Sequence, residues 1–207
     1  MAGPMRPPGL AALALVLALA ACATASGDRL TLTDGSDALR WGDGPYGLVL
    51  VPEEGADAAS WEPQALAFAD EGMTVLAVEV SGTGAIVAAI EHLRDEVGLK
   101  RVAVLAAGSG SEATLAVGRE QPALVDQLIL ISATSQDVSD LGPFPKLFVA
   151  SEGEAAAAQM DAMAGQAPGD WNDVYLAPGA ASGRQIFEGE GGAATLEAVL
   201  QRLAERR

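Results

Sequence analysis

Histidine and cysteine each occur once in the 207-residue sequence, as His92 and Cys22, and lysine only twice, as Lys100 and Lys146. One cysteine excludes an intramolecular disulfide. One histidine leaves a single candidate for the general base on which most nucleophilic serines depend. Basic residues are also few: 12 Lys and Arg stand against 28 Asp and Glu, for a net charge of −16. Such a surface repels phosphate backbones and anionic head groups, which argues against nucleic acid as a partner. The short acidic stretch Thr33 to Asp37, TDGSD, lacks the ligand number and spacing of a calcium loop. No metal and no cofactor is expected.

What the chain does have begins in its first 21 residues, where Arg6 is the only charged side chain and twelve apolar residues follow, LAALALVLALAA from Leu10 to Ala21. That run is too short to cross a hydrocarbon core of ~30 Å comfortably and has the length of an export-signal core. Leu19-Ala20-Ala21-Cys22 resembles the bacterial lipobox, in which cleavage precedes the cysteine and the cysteine accepts diacylglycerol. The resemblance implies a signal peptide over 1–21, lipidation at Cys22 and the membrane as a partner through the N-terminal lipid. The alternative is an ordinary signal peptide cut near Ala25. Several acyl chains, at ~0.8 kcal/mol per buried CH₂, would anchor the protein stably. A short tether, 22–29, would reach ~25 Å at ~3.3–3.6 Å per extended residue. The location implied is the cell envelope, with the outer membrane facing the periplasm preferred because Ala23, not aspartate, follows the cysteine.

Residues 30–207 read as one domain. Short strands are expected at Leu30 to Leu32 and Leu39 to Trp41, and a stronger one at Tyr46 to Val51, YGLVLV, between Gly44-Pro45 and Pro52. Further strands are expected at Met73 to Val80, Val102 to Leu105, Leu128 to Ile131, Leu147 to Ala150 and Val174 to Leu176. Helices are expected over Asp57 to Glu71, Gly84 to Val97, Ser111 to Arg119, Ala155 to Met163 and Ala193 to Glu205, the second with Ile86, Ile90, Leu93 and Val97 on one face. Apolar strands alternating with helices predict an α/β fold, a mostly parallel sheet with helices on both faces and its sites beyond the carboxyl ends of the strands.

In their order, YGLVLVPEEG, the Trp61 helix, GMTVLAVEVSGTG, VAVLAAGSGS, LILIS, KLFVASEGE and YLAPGAASG resemble the α/β-hydrolase fold over nearly the whole mature chain. The resemblance implies a three-layer sandwich, and the connection from Ala133 to Lys146 is too short for a cap domain. The family's nucleophile lies in Gly-x-Ser-x-Gly on a strained turn, with an oxyanion-hole amide on the next residue. Laid on VAVLAAGSGS, the five places are Ala106, Ala107, Gly108, Ser109 and Gly110, so Gly108 holds the nucleophile's position. A register using Ser109 would need glycines where Ala107 and Ser111 stand. The acid's place falls on Glu154 and the histidine's on Ser182. In the oxyanion loop, Pro52-Glu53-Glu54-Gly55 puts two carboxylates where donors would be useful. A remnant pocket would include Glu53, Glu54 and Ser109.

His92 lies roughly 13 Å along its helix from the site, at ~1.5 Å per residue, and reads as a boundary or surface residue. Three functions stay open. The favoured one is a non-catalytic hydrolase-like lipoprotein, a binding or envelope-associated module with a small-molecule or protein ligand. The second is an active esterase or peptidase using Ser109 or Ser111 with an unusual base such as a lysine, although Lys100 and Lys146 precede their strands. The third is a purely structural envelope lipoprotein.

Overall fold

The computed structural model describes residues 27–133 and 137–205. Cys22 and residues 1–21, where a signal peptide is expected, lie outside them. Eight strands, β1 (Asp28–Thr31), β2 (Asp37–Trp41), β3 (Tyr46–Val51), β4 (Met73–Val78), β5 (Val102–Ala107), β6 (Gln127–Ile131), β7 (Lys146–Ser151) and β8 (Asn172–Ala177), form one sheet in the order β1-β2-β4-β3-β5-β6-β7-β8. β3 to β8 are parallel throughout, and β2 runs antiparallel to both of its neighbours.

Every residue of β3, β4, β5, β6 and β7 is buried. This explains their near-continuous apolar sequences, because a strand covered on both faces has no solvent side to alternate toward. One face carries α2 (Thr83–Glu91), α3 (Gly110–Glu120) and α4 (Ala157–Gln166), through Ile86, Ile90, Leu115, Met160 and Met163. The other carries α1 (Glu62–Asp70) and α5 (Gly192–Ala204), through Ala65, Phe68, Val199 and Leu203. The result is the three-layer α/β sandwich that the alternation predicts.

Several boundaries differ from the expected ones for local reasons. Asp28 and Arg29, expected in the tether, pair with Arg40 and Leu39, so the sheet starts before Leu30. The segment from Asp57 is not one helix. A 3-10 turn, Ala58–Trp61, is capped by Asp57 accepting from the Ser60 amide at 2.9 Å, and the α-helix follows it. Pro63 has no amide to donate back into that turn, so the α-helical ladder cannot extend through it. The Gly84 to Val97 helix ends as α-helix at Glu91 and continues as one π-helical turn, His92–Glu96. β5 runs two residues beyond Leu105, with Ala106 and Ala107 opposite Leu130 and Ile131.

At the amino ends of the strands, the fully buried Lys146 Nζ donates to the carbonyls of Gly142 (2.8 Å), Phe144 (2.7 Å) and Pro168 (2.7 Å). It also lies 4.6 Å from the Phe144 ring centroid. This one side chain ties the β6–β7 connection to the turn before β8. No acidic partner compensates it among these contacts, and burial lowers its pKa from 10.5 to about 8. A lysine pKa lowered by folding means that the unfolded chain binds more protons between those values, so Lys146 favours folding more as pH rises through that window. The stability difference between wild type and Lys146→Met, measured by urea unfolding, is therefore expected to shift toward wild type between pH 8 and pH 10.5. A difference independent of pH would show that the carbonyl cage compensates the burial completely.

Candidate functional site

The parallel register delivers the loops after β3, β5, β6, β7 and β8 to one edge of the sheet. β5 ends at Ala107 and α3 begins at Gly110, leaving a two-residue elbow. Gly108 sits there with φ +48, its amide donating to the Ile131 carbonyl at 2.9 Å. That left-handed backbone is open to glycine and strained for a residue with a Cβ. Ser109 has an ordinary helical φ of −64 and is exposed. Its Oγ accepts from the Glu54 amide at 2.8 Å, so the hydroxyl latches the β3 loop. Ser111 is fully buried in the first turn of α3.

The β3 loop turns Glu53 inward. A Cβ built on Gly108 would stand 2.8 Å from Glu53 Oε2, and one built on Gly183 would stand 1.8 Å from the same atom. Gly183 is also left-handed, with φ +58. The carboxylate of Glu53 thus lies between two backbone positions that bear no side chain. It also lies near the head of α3, where the helix dipole favours a negative charge by about 0.3–1 kcal/mol.

Across the cavity, Glu154 Oε1 accepts from the Ser151 amide at 2.7 Å and from the Ser132 hydroxyl at 2.8 Å. Ser132 Oγ in turn accepts from the Gly183 amide at 2.8 Å. Ser132 is the one non-glycine with positive φ, 51°, among the described residues. A strained backbone persists where its surroundings over-determine it. Here the constraint is visible: one hydroxyl joins the loops after β6, β7 and β8.

Glu53, Gly108, Ser132, Glu154, Ser182 and Gly183 all line one cavity of about 340 Å³. Gly108, Glu154 and Ser182, separated by up to 74 positions in the chain, therefore line the same cavity. Glu54 borders an adjoining cavity of about 410 Å³ with Asp57 and Arg184, and Glu53 belongs to both. Ser109 lines neither. His92 begins the π turn at the far end of α2, with Nδ1 3.1 Å from Glu96 Oε2. Lys100 and Lys146 lie at the amino ends of β5 and β7, opposite the cavity.

Two participants escape a reading of the sequence alone, Ser132 and Gly183. Ser132 closes the motif LILIS, whose role in ordering the fold is clear but whose final hydroxyl carries no signal of its own. Gly183 is set apart by its left-handed backbone and its place against Glu53, which no motif encodes.

No family model matches the chain, and no curated protein matches it. Solved structures do. A predicted CIB-like hydrolase from Thermoplasma acidophilum superposes with a TM-score of 0.65 at 14% identity, covering 86% of this chain and 97% of that one. DcsB, solved in complex with its substrate analogue, gives 0.71 at 10% identity, covering 87% and 99%. The monoacylglycerol lipase of Paleococcus ferrophilus gives 0.67 at 11% identity, covering 82% and 98%. The fold is that of the α/β-hydrolases.

The cavity sits at the β5–α3 elbow, and its walls are joined through Glu154. Removing a carboxylate that satisfies a backbone amide and a hydroxyl is expected to cost about 1–3 kcal/mol. Glu154→Ala should lower the urea midpoint accordingly, with Ser132→Ala largely non-additive with it because both act on one network. At the elbow, Gly108→Ala should also destabilise by about 1–3 kcal/mol from strain, more in the native background than beside Glu53→Gly. Equal costs in the two backgrounds would show that Glu53 yields freely.

Proposed function

We propose that this protein is a non-catalytic α/β-hydrolase-like lipoprotein, held at the bacterial envelope by lipid on Cys22, whose cleft serves binding. The observation that carries this reading is the position of the Glu53 carboxylate. It fills the space into which side chains at 108 and 183 would project. A side chain at 108, the nucleophile's place, would have to displace it.

The surrounding chemistry points the same way. Activation of a serine needs a base within hydrogen-bond reach. Ser109 accepts a bond from a backbone amide, and His92 and both lysines sit at the other end of the fold. Ser132 does contact a carboxylate, but its oxygen also receives the Gly183 amide and serves to join three loops. A carboxylate in the cleft opposes a developing oxyanion, which requires donors and positive potential. An outer-membrane location facing the periplasm accompanies this proposal.

Exposure to a fluorescent serine-reactive phosphonate is expected to leave the protein unlabelled. Stoichiometric labelling lost in Ser109→Ala, together with esterase turnover, would replace this reading with that of an active hydrolase. Cys22→Ser is expected to abolish globomycin-sensitive processing and move the protein from the membrane fraction to the soluble one. Unchanged fractionation would overturn the lipid anchor. A rise in melting temperature with a small-molecule ligand, by linkage, would favour a binding role over a purely structural one.

A further inference from the structure

The two outer strands of the sheet are unlike. β1, DRLT, carries Asp28 and Arg29, and Arg29 reaches Glu79 at 3.2 Å and Asp37 at 3.7 Å, so charge covers that edge. Charged side chains on an edge strand hinder its pairing with another chain. β8, NDVYLA, pairs only with β7, and its single charged residue, Asp173, is held by Arg202 Nη1 at 2.5 Å. Among the described residues the exposed large hydrophobics are Leu66, Val80, Trp171 and Leu176. Trp171, 53% exposed, stands just before β8, and Leu176, 40% exposed, near its end. Between Ala155 and Ser182 the only charged residues are Asp161, Asp170 and Asp173, in a chain of net charge −16.

The backbone of β8 is half used. The Lys146 amide donates to the Trp171 carbonyl at 2.8 Å and the Glu152 amide to the Ala177 carbonyl at 2.9 Å. Between these bonds the register runs without a bulge, from Lys146 opposite Asn172 to Ser151 opposite Ala177. In a parallel ladder every second residue turns its polar groups to the neighbouring strand, so Trp171, Asp173, Tyr175 and Ala177 face β7. Asn172, Val174 and Leu176 turn their amides and carbonyls the other way, where the sheet has no further strand. None of the three is proline, so each offers a donor and an acceptor.

We infer that β8 is a homodimer interface, in which two copies of this chain join their sheets edge to edge by antiparallel pairing of β8. A two-fold axis at Val174 sets Val174 against its own copy and Asn172 against Leu176. These are the outward-facing residues, and each such pair exchanges two hydrogen bonds. The same register sets Tyr175 against Asp173 of the second copy, so no carboxylate meets another along the strand, where like charges directly opposite would repel. Charge also selects the place: two copies of so acidic a chain repel wherever carboxylates cover the surface, and the weakly charged stretch around β8 lets them approach. Six residues at ~3.3 Å, by a sandwich roughly 30 Å thick, give about 600 Å² per copy, the lower end of what specific interfaces bury. The inference is independent of whether the cleft is catalytic.

Sedimentation equilibrium of the full-length chain in density-matched detergent tests it. At about 50 μM, above the micromolar constants of the weakest standard-size interfaces, wild type is expected to be a dimer. Leu176→Lys places a charge on the edge and Val174→Pro removes an outward amide, and each is expected to raise the dimer dissociation constant at least tenfold. Leu66→Lys, the same kind of change on α1, should leave it within twofold. Circular dichroism of each variant verifies folding. A monomeric wild type, dimers that persist in Leu176→Lys, or equal loss in Leu66→Lys would overturn the proposal, the second by assigning dimerisation to another surface.

Discussion

Six parallel strands, β3 to β8, end along one edge of the sheet, and the candidate site depends on that register. A parallel strand needs a crossover, the crossover here is usually a helix, and helices then cover both faces. This makes the strands apolar along their whole length and confines polar chemistry to the loops at their ends. Five of those loops meet around Gly108. Without the common direction of the strands, Glu53, Ser132, Glu154 and Gly183 would have no reason to share a cavity.

Within that frame, internal hydrogen bonds tie the loops of the candidate site together. Two left-handed glycines remove side chains, and Glu53 enters the space between them. The hydroxyl of Ser132 supplies the hydrogen bond that Glu154 accepts, while the Gly183 amide supplies the one Ser132 accepts. Ser109 holds the β3 loop through the Glu54 amide. These bonds hold the walls of the cleft to one another.

At the opposite end, the sheet depends on Lys146, whose three carbonyl partners belong to two connections. A buried ammonium with neutral acceptors is costly to desolvate and strongly constrained in position. Arg202 adds to the same region, bonding the Lys146 and Trp171 carbonyls and pairing with Asp173 at 2.5 Å. Two of the few cations in a very acidic chain are thus used inside the fold, close to its amino-terminal edge.

The sequence by itself determined the class of fold and the address of the site. Runs such as YGLVLV and VAVLAA specify strands buried on two faces, because burial is a property of composition over a few neighbours. The elbow was legible for the same local reason: small residues between a strand and a helix require a tight turn, and Gly108 stands in it. Helix interruptions at Pro63 and His92, and the extension of β5 to Ala107, depended on pairing and packing partners beyond the local window. Only the tertiary structure decided which way Glu53 points, that Ser132 reaches Glu154, and that Gly183 stands against Glu53. Those are matters of side-chain direction between loops distant in the chain, and direction is set by the register and backbone angles of the assembled sheet.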